Sequence, residues 1–255
     1  GGVARAGAEM ESEALSLDIR RIVTDSDLDG VVTAAILRRW WPEAEVVFGH
    51  PGELRAGLLD GHINRHTAVC DLPRHPDCGL SIDHHQSNAP GEDEDGDVVI
   101  IWKETPSAAR IAYDLLEGEV DLSDLEDMMV WVDKLDGGGI NREEFRSDHP
   151  VIWLGRVVDI ESGIAYHILE SLQHGVSVDD ILSGPAVAHA LKHRRARQAE
   201  MDSAIAESTH VVDRLAIVRL EDRNMRSNGY HVTALVGEDC DACLIVHGDV
   251  GASFG

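Results

Sequence analysis

Between residues 20 and 118 the chain alternates short apolar runs with runs of helical period, and this alternation leaves few folds open. RRIVTDS (20–26), EVVFGH (45–50), HTAVCDLP (66–73), GLSIDHH (79–85) and VVIIW (98–102) have the length and apolar, β-branched content of buried strands. GVVTAAILRRWW (30–41), PGELRAGLLDG (51–61) and TPSAARIAYDLLEG (105–118) carry helical patterning, with proline or glycine at or beyond their ends. Strands apolar on both faces and separated by helices belong to a largely parallel sheet with helices on both faces. An α/β fold is therefore expected.

Further along, DLEDMMVWVDKLD (124–136) reads as a helix stopped by GGG (137–139), and two more helices are expected at about 150–174 and 185–208. Strand signals return in HVVDRLAIVRLED (210–222), YHVTALVGED (230–239) and CLIVHGD (243–249). The expected organisation is a flexible leader over 1–18, an α/β domain over 19–185, and over 186–255 a linker helix with a smaller α/β domain. That second domain stops at GASFG (251–255) as if cut short. GEDEDGD (91–97) reads as a solvated acidic loop, and Trp40-Trp41 at a helix end as packing residues. No apolar run approaches the roughly 18 residues of a membrane span, and the N-terminus lacks the apolar stretch of a secretory signal. A cytoplasmic protein without a membrane partner is expected.

The chain has 22 basic and 47 acidic residues, a net charge of −25, and only three lysines, Lys103, Lys134 and Lys192. Such an acidic, arginine-using composition resembles that of halophile proteins, whose carboxylates hold water in molar salt. There the Debye length shrinks to about 3 Å, so the net charge does not exclude a polyanionic substrate. The four cysteines, Cys70, Cys78, Cys240 and Cys243, are too few for a disulfide scaffold, and CDAC (240–243) lacks the second pair a structural zinc site requires.

The polar residues that interrupt this pattern cluster at strand ends, where open α/β sheets form their ligand crevice. TDSDLDG (24–30) places Asp25, Asp27 and Asp29 at alternate positions where a strand hands over to a helix. Carboxylates so close repel, and a cation would remove the repulsion. Asp71 ends another strand, Asp83, His84 and His85 a third, and the helix ending in WVDKLD brings Asp133 and Asp136. Carboxylates and imidazole without thiolates suit Mn²⁺ or Mg²⁺. Taken singly, Asp29 reads equally as a helix cap and Asp71 as a turn residue before Pro73; Asp136 is the alternative to Asp133. The basic run LKHRRARQ (191–198) reads either as a solvated helix face or as a source of phosphate contacts from Arg194, Arg195 and Arg197, with Arg74 a further candidate.

Together DSDLDG (25–30), Asp71 in CDLP, DHH (83–85) and Asp133 in VDKLD resemble, in order and spacing, the motifs of the DHH phosphoesterases, which include the RecJ-type nucleases. The resemblance covers about residues 20–185 and implies a manganese-dependent hydrolase that cleaves phosphodiesters by a two-metal mechanism. It implies Asp25 and Asp27 on one Mn²⁺, Asp29, His84 and Asp133 on the other, with Asp71 bridging. Asp83 would orient a histidine and His85 would face the phosphate. With Asp at position 25, the RecJ-like branch and a single-stranded or short nucleic acid substrate are expected. A small-molecule phosphatase or phosphodiesterase, acting on pyrophosphate, a bisphosphorylated nucleotide or a cyclic dinucleotide, is the alternative. A catalytically silent replication or repair scaffold is a further one, and homodimerisation is left open. The glycine-rich segment that closes the family's second domain has no counterpart here.

Overall fold

A computed structural model describes residues 2–91, 96–159, 161–223 and 225–248. The chain divides into two compact units, one formed by Gly1–Ile140 with Pro150–Val187, the other by Asn141–His149 with Ala188–Gly255.

The first unit opens with α1 (Gly2–Ser16), followed by β1 (Arg21–Asp25), α2 (Leu28–Leu37), β2 (Glu45–Gly49), α3 (Pro51–Arg55), β3 (Thr67–Cys70), β4 (Leu80–Asp83), β5 (Val99–Trp102), α4 (Ala108–Leu116) and α5 (Glu126–Asp136). The five strands form one all-parallel sheet in the order β2-β1-β3-β4-β5. Val23, Val69, Leu54, Leu59 and Ile63 pack into a core on one face. On the other lies α2, in which every residue is buried because it is covered by the sheet, by α4 and by a later helix. The strand order reverses between β1 and β3, so the carboxyl ends of these two strands border the crevice where doubly wound sheets bind ligands.

After α5 come α6 (Arg142–Arg146), α7 (Pro150–Val157), α8 (Ile164–Gln173), α9 (Val178–Ser183) and α10 (Pro185–Ser208). The second unit is completed by β6 (Thr209–Val212), β7 (Leu215–Arg219), α11 (Gly229–Val236) and β8 (Ala242–Val246), its strands ordered β6-β7-β8. Ala204, Ile205, Val218, Leu220 and Val232 form its core.

Several expectations are corrected. Residues 2–16 are helical and anchored rather than a flexible leader: the Trp40 and Trp41 indoles donate to Leu15 O and Leu17 O, and Lys103 pairs with Glu11 at 2.5 Å. The helix expected over 150–174 is two helices, the first ending at Val157 and the second beginning at Ile164 after Gly163, which takes φ 78° at its N-cap. YHVTALV is helix α11 rather than a strand, since Asn228 caps its first turn and Val232, Leu235 and Val236 meet the core at helical spacing. The segment 141–149, expected in the first domain, groups with the second unit. Most of the acidic loop (92–95) and GASFG lie outside the described residues. Among the described residues no helix is long and apolar enough to cross a membrane.

Candidate metal centre

The junction between β1 and α2 is unusually close, and its sequence explains how. A Cβ on Gly30 would lie 2.0 Å from Asp25 O, so only glycine admits this approach. Asp27 rather than Asp29 is the N-cap of α2, accepting from Gly30 N at 2.9 Å, and the helix starts two residues before the expected position. Asp29, the second residue of the helix, lies in its first turn and is 2 % exposed. Its Oδ2 and Oδ1 accept from the Ala108 and Ala109 amides at 2.9 and 2.8 Å, so the N-terminus of α4 faces its charge.

Asp71 follows β3 with φ 57°, a left-handed conformation uncommon outside glycine, and is 2 % exposed. Neither of its carboxylate oxygens has a hydrogen-bond partner. Buried polar atoms are nearly always paired, so two orphaned oxygens on a strained residue call for a partner of another kind. His84 has the same deficit. Its Nδ1 lies 3.0 Å from Thr105 O, which fixes the proton there and turns the Nε2 lone pair inward in the neutral ring. Nε2 stands 3.0 Å from Asp136 Oδ2, 3.5 Å from Asp29 Oδ2 and 3.6 Å from Asp71 Oδ1, yet hydrogen-bonds to none of them.

Among the described residues, three donor sets have ligand atoms within 4.8 Å of one another: Asp25, Asp27 and Asp71; Asp29, His84 and Asp136; and Asp71, His84 and His85. Oxygen and imidazole donors in this number fit a hard or borderline divalent cation. The electrostatics show the same need. Burial raises the Asp25 and Asp27 carboxyls. Burial, reinforced by the Asp136 charge, pushes Asp29 up to about 8 against the pull of its two amides. Burial and the Asp29 charge hold Asp71 well above the usual carboxylate range. For His84, burial works downward but is outweighed by Asp136, Asp71 and Asp29, which push it up to about 11.

Asp133, expected as a ligand, has both carboxylate oxygens in hydrogen bonds. Ser107 Oγ donates to Asp133 Oδ1 at 2.7 Å, while Arg110 Nε and Nη2 donate to Oδ2 at 2.9 and 2.7 Å. With both oxygens engaged, Asp133 belongs to none of the three sets, and Asp136, one helical turn later, takes the place beside His84. Asp83, 4 % exposed, accepts from His84 N, from His85 Nδ1 at 2.7 Å and from Asn88 Nδ2 at 2.6 Å. This leaves Nε2 of the half-exposed His85 without a partner among the described residues. Arg74 lies in the loop after β3, where its charge bears on the Cys78 thiol. Arg194, Arg195 and Arg197 stand on α10 in the second unit, with Arg195 3.3 Å from Asp148. Sequence reasoning missed the α4 turn and Asn88. The Ser107 cap, which accepts from Arg110 N, was the available signal for the first.

No family model matches the sequence, and no curated protein is similar to it. Solved structures are. PggH, a pGpG-specific phosphodiesterase from Vibrio cholerae, aligns with a TM-score of 0.71 at 24% identity, covering 88% of this chain and 76% of that one. The DHH domain of a protein described as belonging to a family of ribosomal proteins aligns at 0.52 and 11% identity, covering 95% and 75%. A RecJ exonuclease bound to manganese reaches 0.39 at 15% identity over 86% and 73% of the two chains, too loose a fit to carry an argument. At these identities the likeness establishes architecture: the structural neighbours are DHH-domain proteins, and the chain has their fold.

Proposed function

We propose that this protein is a divalent-metal-dependent phosphodiesterase, with two Mn²⁺ ions in the donor cluster and a short single-stranded nucleic acid, down to a dinucleotide, as substrate. The observation that carries this reading is Asp71: buried, left-handed, with both carboxylate oxygens orphaned and with membership in two of the three donor sets. Asp25, Asp27 and Asp71 would hold one ion, and Asp29, Asp71, His84 and Asp136 the other. Bound there, the ions would neutralise the crowded carboxylates, polarise the phosphate oxygens and make water acidic enough to attack near neutral pH.

The protein's own groups do the rest. Asp83 holds the Nδ1–H of His85, so that Nε2 is turned toward a phosphate or able to hold a proton beside the departing oxygen. Asn88 and the Trp102 indole, which donates to His85 O at 2.9 Å, keep that ring and its loop in place. The Ala108 and Ala109 amides orient Asp29, and Thr105 O selects the ligating tautomer of His84. Arg74, Arg194, Arg195 and Arg197 are proposed phosphate contacts.

The likeness to a pGpG phosphodiesterase supports a short substrate. The motif DSDLDG supports a second reading, exonucleolytic trimming of longer strands in the RecJ manner. A ladder of end-labelled RNA and DNA from two to about twenty-four nucleotides, incubated with Mn²⁺ or with EDTA in low and molar KCl, separates them. Turnover concentrated on the shortest substrates is expected. Equal trimming at every length would favour the exonuclease, and intact ladders in Mn²⁺ would overturn both.

A further inference from the structure

We infer that Asp133 is a positioning residue: with Ser107 and Arg110 it clamps α5 onto the first turn of α4 and thereby delivers Asp136 to the metal centre. This rests on the proposed metallophosphodiesterase reading and deepens it. Asp133 and Asp136 are three apart on α5 and so share a helix face, which makes the register of one the register of the other. Asp133 is held at both oxygens, at 2.7 Å by Ser107 and by the Arg110 fork at 2.9 and 2.7 Å, a charge-assisted geometry far more restrictive than a single contact. The Ser107 hydroxyl also accepts from Arg110 N, so the turn is rigid at its own cap.

A second contact points the same way. A Cβ on Gly137, immediately after Asp136, would lie 3.0 Å from Pro106 Cβ and 2.8 Å from Asp133 O. The end of α5 is thus seated against the same turn, and a side chain at 137 would lift it off. One short stretch, Thr105 to Arg110, therefore sets three groups of the centre: His84 through the Thr105 carbonyl, Asp29 through two amides, and Asp136 through Asp133.

The test is a Mn²⁺ binding isotherm on the full chain, reading stoichiometry and affinity apart from any activity. Asp136→Asn should lose one ion. Asp133→Asn should keep the wild-type stoichiometry and bind about 10- to 100-fold more weakly, as outer partners of metal ligands do when removed. Arg110→Ala should behave like Asp133→Asn, and Arg110→Lys should recover part of the loss; Arg110→Lys and Ser107→Ala serve if Asp133→Asn does not fold by circular dichroism. Loss of an ion in Asp133→Asn with two retained in Asp136→Asn would make Asp133 the ligand and overturn the inference. Unchanged affinity in the folded clamp variants would overturn it too. A wild-type chain that takes up no Mn²⁺ would instead overturn the metallophosphodiesterase reading, and the clamp's role with it.

Discussion

Replacing Asp71 by Asn separates what the centre costs the fold from what it does. Asparagine accepts the left-handed conformation at φ 57° as readily as aspartate and nearly matches its volume, so the change removes little but charge. Asp71 shares a set of ligand atoms within 4.8 Å with Asp25 and Asp27. Two carboxylates at that distance repel by about 3 kcal/mol at an effective dielectric near 20. The raised affinity of Asp71 for a proton already relieves part of this at neutral pH. Asp71→Asn should therefore stabilise the metal-free protein by about 1–2 kcal/mol, or roughly 2–8 °C in melting temperature for a unit of this size. In Mn²⁺ the order should invert. Wild type gains about 2.7 kcal/mol at an ion concentration of 100 Kd, and the variant gains little. Calorimetric melts in EDTA and in Mn²⁺ read both effects. A variant less stable than wild type in EDTA, or equally stabilised by Mn²⁺, would refute the reasoning.

Three further outcomes are expected. Folded Asp29 and His84 titrate at about 8 and about 11, against ordinary values of 3.8 and 6.5, so between these limits the folded chain binds more protons than the unfolded one. Metal-free stability should then fall as pH rises from about 4 through 8 and on toward 11, while Mn²⁺, which must displace those protons, binds more weakly at the low end of that range and more tightly as pH rises. Melts in EDTA and titration calorimetry in buffers of differing ionisation enthalpy check both signs. Gly30→Ala would set a Cβ 2.0 Å from Asp25 O and should cost more than about 2 kcal/mol, measurable by denaturant unfolding. Asn88→Ala frees Asp83 Oδ2 and should lower kcat about tenfold with Mn²⁺ affinity unchanged, since Asp83 steadies His85 rather than an ion.

The parallel sheet was legible because each of its strands is a short apolar run flanked by glycine, proline or a polar cluster. The polar cluster beside its carboxyl ends was legible because Asp25, Asp27, Asp29, Asp71 and His84 break that pattern where a buried strand should not. What sequence could not rank was Asp133 against Asp136. The two share a face of α5, and what distinguishes them is Arg110, which stands 23 positions upstream and meets Asp133 only after α4 and α5 pack. Local patterning also failed at α11, whose β-branched residues suit a strand until Asn228 caps them and burial settles the period. The leader failed for a similar reason: its anchors, Trp40, Trp41 and Lys103, are distant in sequence.

The most direct measurement is anomalous diffraction at the manganese edge from crystals soaked in Mn²⁺. Two peaks are expected, both coordinated by Asp71, with Asp25 and Asp27 on one and Asp29, His84 and Asp136 on the other, and with Asp133 still held by Arg110. No peak in the cluster, or a single ion that leaves Asp71 without a ligand bond, would contradict the two-ion centre and the chemistry derived from it.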